Sequence, residues 1–295
     1  MSWLPSTTGR AHSIYVLPYC TSADSVYGAT MTFKTLRVGF PDAEVFVIDN
    51  NTCQEAEVEL VALAKQNDCR YHRLDQTIKH YTFLSEVVLN PANHGTVIIL
   101  DPDMCFWERV DHWEFDGLLA GRLVPAFYEE FSGCINLPRL HTSFWWIPDV
   151  ARLRDRIVDE FKRTSLGYLD AFAPFIFKDT GNATWYKFDA GSNLCAAIEQ
   201  DLVLFGEREL NAFDHLLVGS HMELVIGSLG AYDQFCMRMT HDWARHDPSR
   251  LRGIWRAQDT YFAQRAVPTH ALRSHGNLRL APRAGAASVP AKVTS

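Results

Sequence analysis

Two rhythms of apolar positions alternate along the first hundred residues. Ser13–Pro18 (SIYVLP), Glu44–Ile48 (EVFVI) and Thr96–Leu100 (TVIIL) are short, β-branched, nearly unbroken apolar runs, and the more polar Cys69–Leu74 (CRYHRL) predicts a further strand between the last two. Such runs read as strands buried on both faces of a parallel sheet. Between them lie longer segments with apolar residues at helical spacing, over Ala23–Phe40, Glu55–Gln66 and Thr77–Leu89. Pro41-Asp42, Asp49-Asn50-Asn51 and Pro91–Gly95 punctuate the joints, as turn-formers do. Thr52, with Glu55 three residues on, predicts a capping box for the second helix. The resulting strand–helix alternation predicts a parallel, ligand-binding half-sheet.

Beyond residue 105 the rhythm loosens. Leu123–Phe127 and Leu140–Ile147 (LHTSFWWI) predict further strands, and Val150–Arg163 a helix. Trp185–Phe188 leads through Asp189-Ala190-Gly191-Ser192 into a short predicted helix, Asn193–Glu199. Ala212–Val218 (AFDHLLV) predicts a closing strand that carries His215. Residues 222–275 read as a helical extension, with Tyr232, Phe235, Trp243, Trp255 and Phe262 as core candidates. Residues 276–295, rich in Gly, Ala, Pro and Ser, read as a disordered tail. The expected division is an N-terminal arm (1–12), a main domain (13–221, with halves 13–105 and 106–221), the extension and the tail.

Composition narrows the class without naming it. The chain has 295 residues, is 47% hydrophobic and 21% charged, and carries a net charge of -7. That is ordinary for a globular enzyme and disfavours, without excluding, broad electrostatic binding to nucleic acid. Seven scattered cysteines without a CxxC pair read as reduced thiols in a cytoplasmic protein. No apolar run approaches the roughly 20 residues of a membrane span.

The chemistry concentrates where the fourth strand stops. Asp101-Pro102-Asp103 places two carboxylates one residue apart at the carboxyl end of a buried strand, the edge at which open α/β sheets bind ligands. Pro102 ends the strand and stiffens the turn. Carboxylates of this kind hold a hard divalent cation against phosphate oxygens. Cys20, Thr21 and Asp49, at the ends of the first two strands, fall on the same edge; Asp49 has two readings, a ribose or base acceptor or the cap of its own turn. Gly28 is the only glycine between Cys20 and Thr30, which argues against a dinucleotide fingerprint.

The order of motifs over 13–221 resembles the nucleotide-sugar-dependent glycosyltransferases of the A-type fold, and IILDPDMCFW carries the resemblance most strongly. It implies an α/β architecture with a mostly parallel, Rossmann-like central sheet flanked by helices and a helical C-terminal extension. It further implies a nucleoside-diphosphate sugar donor, UDP-sugar favoured, a hydroxyl-bearing acceptor, and Mn²⁺ or Mg²⁺ on Asp101 and Asp103. FDHLLVGS implies His215 as third metal ligand, with His275 as the alternative. WYKFDAGSNLCAAI implies Asp189 as the catalytic residue, a general base if the reaction inverts and a group that positions the acceptor if it retains, with Asp259 and Asp233 as alternatives. Phe188-Asp189 departs from both the Glu-Asp and the Asp-Gln-Asp patterns of the family, so the stereochemistry stays open. Trp145, Trp146, Glu130 and His221 are the acceptor-pocket candidates, although Trp145-Trp146 reads first as core and cleft wall and second as a sugar platform, and the extension is expected to cover the acceptor side or pair two copies as a homodimer. The rival readings are a sugar-nucleotide nucleotidyltransferase, whose Gly-rich, Arg-containing loop is missing from YCTSADSVYG, and a non-catalytic nucleotide-sugar-binding domain.

Overall fold

A computed structural model of the chain describes residues 4–5, 11–20, 26–129, 132–161, 171–179, 184–215 and 248–267. Thr21, Glu130, His221, Asp233 and His275 lie outside the described residues, as do most of the expected extension and the tail.

In chain order the elements are β1 (His12–Val16), α1 (Val26–Gly39), β2 (Glu44–Asp49), α2 (Gln54–Gln66), β3 (Arg70–Arg73), α3 (His80–Leu89), β4 (Thr96–Leu100) and β5 (Met104–Phe106). There follow β6 (Leu119–Val124), β7 (Phe127–Glu129), β8 (Cys134–Asn136), β9 (Arg139–Ile147), α4 (Val150–Phe161), β10 (Phe175–Lys178) and β11 (Trp185–Phe188). The last are α5 (Ser192–Ala197), β12 (Leu202–Leu204), α6 (Glu207–Leu210), β13 (Phe213–His215) and α7 (Trp255–Gln264).

The main sheet has seven strands in the order β12-β6-β9-β4-β1-β2-β3. β3, β2, β1 and β4 are mutually parallel, and β9 alone runs against its neighbours β4 and β6. The expected mixed α/β architecture, a mostly parallel central sheet flanked by helices, is the one observed. Alternate side chains of each strand enter opposite layers, because the strand period is two. Ile14, Val47, Ile98 and Trp146 pack with Phe33 and Leu36 of α1 and Leu60 of α2. Tyr15, Phe46, Ile99 and Trp145 pack with Phe83 of α3, Leu153 of α4 and Leu194 of α5.

That alternation favours the core over the sugar platform, the two readings of Trp145-Trp146. Trp145 and Trp146 are 0% and 2% exposed. They sit on a strand between β4 and β6 in a sheet covered on both faces, so each fills a different core layer and neither lines a cleft.

Three local expectations also change. α2 starts at Gln54 with no side-chain cap, because the Thr52 hydroxyl is used elsewhere: it accepts the Cys20 N–H at 3.1 Å. The expected strand Leu123–Phe127 is split at Pro125 into β6 and β7, since proline offers no N–H to a ladder. β13 does not close the main sheet; it pairs antiparallel with β5 in a separate two-stranded ribbon, His215 opposite Met104. A further sheet, β10-β11-β8-β7, stands beside the main one. No disulfide joins the six described cysteines, and no described helix is long and apolar enough to cross a membrane.

Candidate active site

The site begins at the carboxyl end of β4. Asp101 N–H still donates to Ser143 O of β9 at 2.8 Å, so the strand is held to its last residue before the chain turns. α1 grips the turn itself, the Thr32 hydroxyl donating to the Pro102 carbonyl. Asp103 then leads into β5, and the β5–β13 register brings His215 beside it. His215 Nε2 lies 3.1 Å from Asp103 Oδ1 and 3.8 Å from Asp101 Oδ2. One ligand atom from each of Asp101, Asp103 and His215 falls within 4.8 Å of the others.

Asp103 and His215 are buried, Asp101 is partly buried, and the three groups perturb one another. Asp103 is 3% and His215 7% exposed. Burial raises the Asp101 pKa and the neighbouring Asp103 charge raises it further, against the attraction of His80 and His215. Burial alone would lower the His215 pKa, but Asp103 and Asp101 outweigh it and the net shift is upward. Two carboxylate oxygens and one imidazole nitrogen form a donor set that fits Mn²⁺ or Mg²⁺, with carboxylate the predominant ligand.

Two histidines that pattern reading did not single out flank the triad. His80, the first residue of α3, places Nε2 3.6 Å from Asp101 Oδ1. The His141 ring meets the His215 ring edge-on at 5.0 Å. His141 Nδ1 accepts the Ser143 N–H at 3.2 Å, which places the ring proton on Nε2. Burial, with the His215, Arg139 and Arg122 charges, keeps the His141 pKa well below its usual value. No local periodicity marks either residue; the only signal was imidazole near the start of a strand or of a helix.

Asp189 follows β11 and is paired. Its Oδ2 accepts Arg139 Nη2 at 2.7 Å and its Oδ1 accepts the Ala190 N–H at 2.9 Å. Burial would raise its pKa, but Arg139 and Lys187 outweigh burial and hold it below the usual carboxylate range. Gly191 sustains the turn with φ +73°, packed so closely on Trp145 that an added Cβ would lie 2.5 Å from the indole. Arg139 Nη1, Ser192 Oγ and Asn136 Nδ2 are buried and have no hydrogen-bond partner among the described residues.

The other candidates have contacts within the chain. Asp49 is 0% exposed. Its Oδ1 accepts the Thr52 N–H at 2.9 Å, and its Oδ2 accepts the Tyr71 hydroxyl and Arg73 Nη1. The structure thus gives Asp49 the turn-holding contacts that were one of its two readings. Cys20 is buried, and its backbone N–H and carbonyl bond Thr52 Oγ1 and the Cys53 N–H. Asp259, on α7, accepts two N–H bonds from Arg122 of β6, and so anchors a helix.

No family model matches the chain, and no curated protein does. Solved structures similar to it include the galactosyltransferase LgtC with donor and acceptor sugar analogues, at 11% identity over 66% of this chain and 74% of that one, TM-score 0.42. A mannosyltransferase, PcManGT from Pyrobaculum calidifontis, determined with GDP-Man and Mn²⁺, matches at 14% identity over 93% of this chain and 81% of its own, TM-score 0.40. The glycosyltransferase GlyE from Streptococcus pneumoniae TIGR4 matches at 10% identity over 82% of this chain and 53% of its own, so the chain spans about half of that protein, TM-score 0.39. At such identities and TM-scores no residue role transfers across these likenesses.

Proposed function

We propose that the chain is a metal-dependent glycosyltransferase, moving a sugar from a nucleoside-diphosphate sugar to a hydroxyl acceptor. One observation carries the reading: Asp101, Asp103 and His215 converge at the carboxyl edge of the parallel strands, the ligand-binding edge of such sheets. Asp101, Asp103 and His215 would hold Mn²⁺ or Mg²⁺, which supplies positive charge against a diphosphate leaving group. In the reaction the acceptor oxygen bonds the anomeric carbon, the bond from that carbon to the phosphate oxygen breaks, its electron pair leaves with the nucleoside diphosphate, and the acceptor hydroxyl's proton passes to the departing diphosphate or to solvent.

The remaining roles fall to the chain's own side chains. His141, with its proton on Nε2, is a hydrogen-bond donor beside the triad. Asp189 is a poor general base, since a lowered pKa weakens proton abstraction. Its fixed, ionised carboxylate favours orienting a sugar hydroxyl by accepting from it.

The test is donor hydrolysis and donor binding across UDP-, GDP- and TDP-sugars, UDP-sugars first, with and without Mn²⁺. Metal-dependent turnover or binding of one donor, abolished by Asp103→Ala in a folded protein, is the expected result. A wild-type chain that neither turns over nor binds any donor with Mn²⁺ present overturns the reading.

A further inference from the structure

Among the described residues, His215 is the last of a three-residue strand whose ladder partner, β5, is also three residues long. An isolated two-stranded ribbon of that size is not stable by itself. Something else must fix the strand if its last side chain is to meet Asp103.

The neighbouring residue shows what does. Asp214 precedes His215, so its side chain leaves the opposite side of the strand. It is 0% exposed. Its Oδ2 accepts the Trp107 indole N–H at 2.6 Å and the Gly253 N–H at 2.7 Å, and its Oδ1 accepts the Trp255 N–H at 3.1 Å. A buried carboxylate is strongly unfavourable without such donors, and charge-assisted bonds are the stronger class. Two of the three donors come from the segment Pro248–Val267, far along the chain. Gly253 delivers its N–H from φ +83°, a conformation that favours glycine.

The same segment is fastened along its length. Leu251 is 0% exposed and packs with Cys105 of β5 and Met31 of α1. Arg122 Nη2 of β6 donates to the Trp255 carbonyl at 3.1 Å and pairs with Asp259. Arg256 donates to Asn211 Oδ1 at 2.8 Å, just before β13. Val267 N–H donates to Ala126 O at 2.9 Å, and Tyr128 N–H to Arg265 O at 3.0 Å.

We infer that residues 248–267 are part of the metal centre, with Asp214 the positioning residue that transmits their docking to His215. This rests on the reading of Asp101, Asp103 and His215 as metal ligands. It has a reciprocal consequence: if docking of the segment raises metal affinity, metal binding must tighten the docked segment by the same factor.

The experiment uses the full chain, wild type against Asp214→Asn, which keeps size but turns an N–H group toward N–H donors. A milder variant, Gly253→Ala, disturbs a single donor if the first fails to fold. Ile157→Val, in the core layer on the far side of the sheet, controls for general loss of stability. Mn²⁺ binding is measured by titration without any donor, and amide hydrogen exchange is followed at 104–106, 213–215 and 253–255. The expected result is Mn²⁺ affinity weakened at least tenfold in Asp214→Asn and several-fold in Gly253→Ala, unchanged in Ile157→Val. Exchange in all three stretches should be faster in Asp214→Asn, and Mn²⁺ should slow exchange at 253–255 in the wild type. Wild-type Mn²⁺ affinity in both variants, while Asp103→Ala abolishes binding, overturns the inference and leaves the metal site standing. If the wild-type chain binds no Mn²⁺, the metal reading fails instead, and the inference with it.

Discussion

Arg139→Met tests whether Asp189 is held as a fixed anion. The Arg139 side chain is 11% and the Asp189 side chain 36% exposed, with the two charges 2.7 Å apart. A fully exposed ion pair contributes about 0–1 kcal/mol, whereas removing one member of a fully buried pair costs about 3–5 kcal/mol. Asp189 is open enough for water to screen part of the interaction, so the expected loss at pH 7 is about 2 kcal/mol, between those limits. Methionine keeps most of the apolar stem, which confines the loss to charge. The pH dependence follows from the direction of the shift. In the wild type Asp189 titrates below its unfolded value of about 4. The pair's contribution is therefore fully present above that pH and lost as pH falls through the lower folded value. In the variant, burial is left opposed only by the weaker Lys187 and His80 attractions and the Ala190 N–H bond, and the folded pKa rises. The stability difference between the proteins should then shrink as pH drops from 7 through about 4. Urea unfolding of both proteins in EDTA, across that range, measures it. With a donor and acceptor in hand, KM should rise more than kcat falls, and the acid limb of kcat/KM should move to higher pH. A difference constant with pH, or none at pH 7, refutes the reasoning.

Gly191→Ala should lower stability by about 3 kcal/mol or more, because φ +73° disfavours alanine and the new Cβ would lie 2.5 Å from the Trp145 ring; urea unfolding checks it, and a loss under about 1 kcal/mol contradicts it. Arg154 donates to the carbonyls of Val88, Asn90 and Asn93 at 3.1, 2.6 and 2.7 Å. Lysine lacks the planar fork, so Arg154→Lys should cost about 1–3 kcal/mol in the same assay. Asp49→Ala leaves the Thr52 amide, Tyr71 hydroxyl and Arg73 without their shared acceptor, and about 3 kcal/mol of stability should go with it. If Asp49 also binds the donor, donor affinity measured below the melting range should fall too; an unchanged affinity leaves Asp49 purely structural.

The first half of the fold was readable because β1, β2 and β4 are buried on both faces. A strand in that position can show only one pattern, an apolar run, and Thr96–Leu100 shows it without a break. The same logic left Trp145-Trp146 with two readings, core or sugar platform. Two adjacent indoles look alike in sequence, but a strand period of two sends them to different layers, and only the strands on either side of β9 say that both layers are full. β7, β8, β12 and β13 are three residues each, below the length at which alternation can be told from chance. Asp49 carried two readings because its partners, Tyr71 and Arg73, lie on β3, and only the β2–β3 register sets them beside it.

The site divides along the same line. Asp101 and Asp103 announce themselves because strand, proline turn and carboxylates are local facts of one continuous stretch, Thr96–Asp103. What makes the corner able to hold a cation is not local. Thr32 reaches the turn from α1, His80 from α3, His141 from β9 and His215 from a ribbon that exists only because β5 and β13 meet. Each is a single polar residue on an element whose own pattern is set by the core it covers, so no window of sequence contains the signal. Asp214 takes this furthest. In sequence it is one acidic residue in an apolar run, where a strand predicted for the main sheet had no place for it. In the structure its burial is tolerable because Trp107, Gly253 and Trp255 supply the N–H groups that replace water. A carboxylate that would be costly in almost any other setting is thus the feature that ties the end of the described chain to the residue beside the metal turn. The part of the chain with the weakest sequence pattern is the part on which the position of His215 depends.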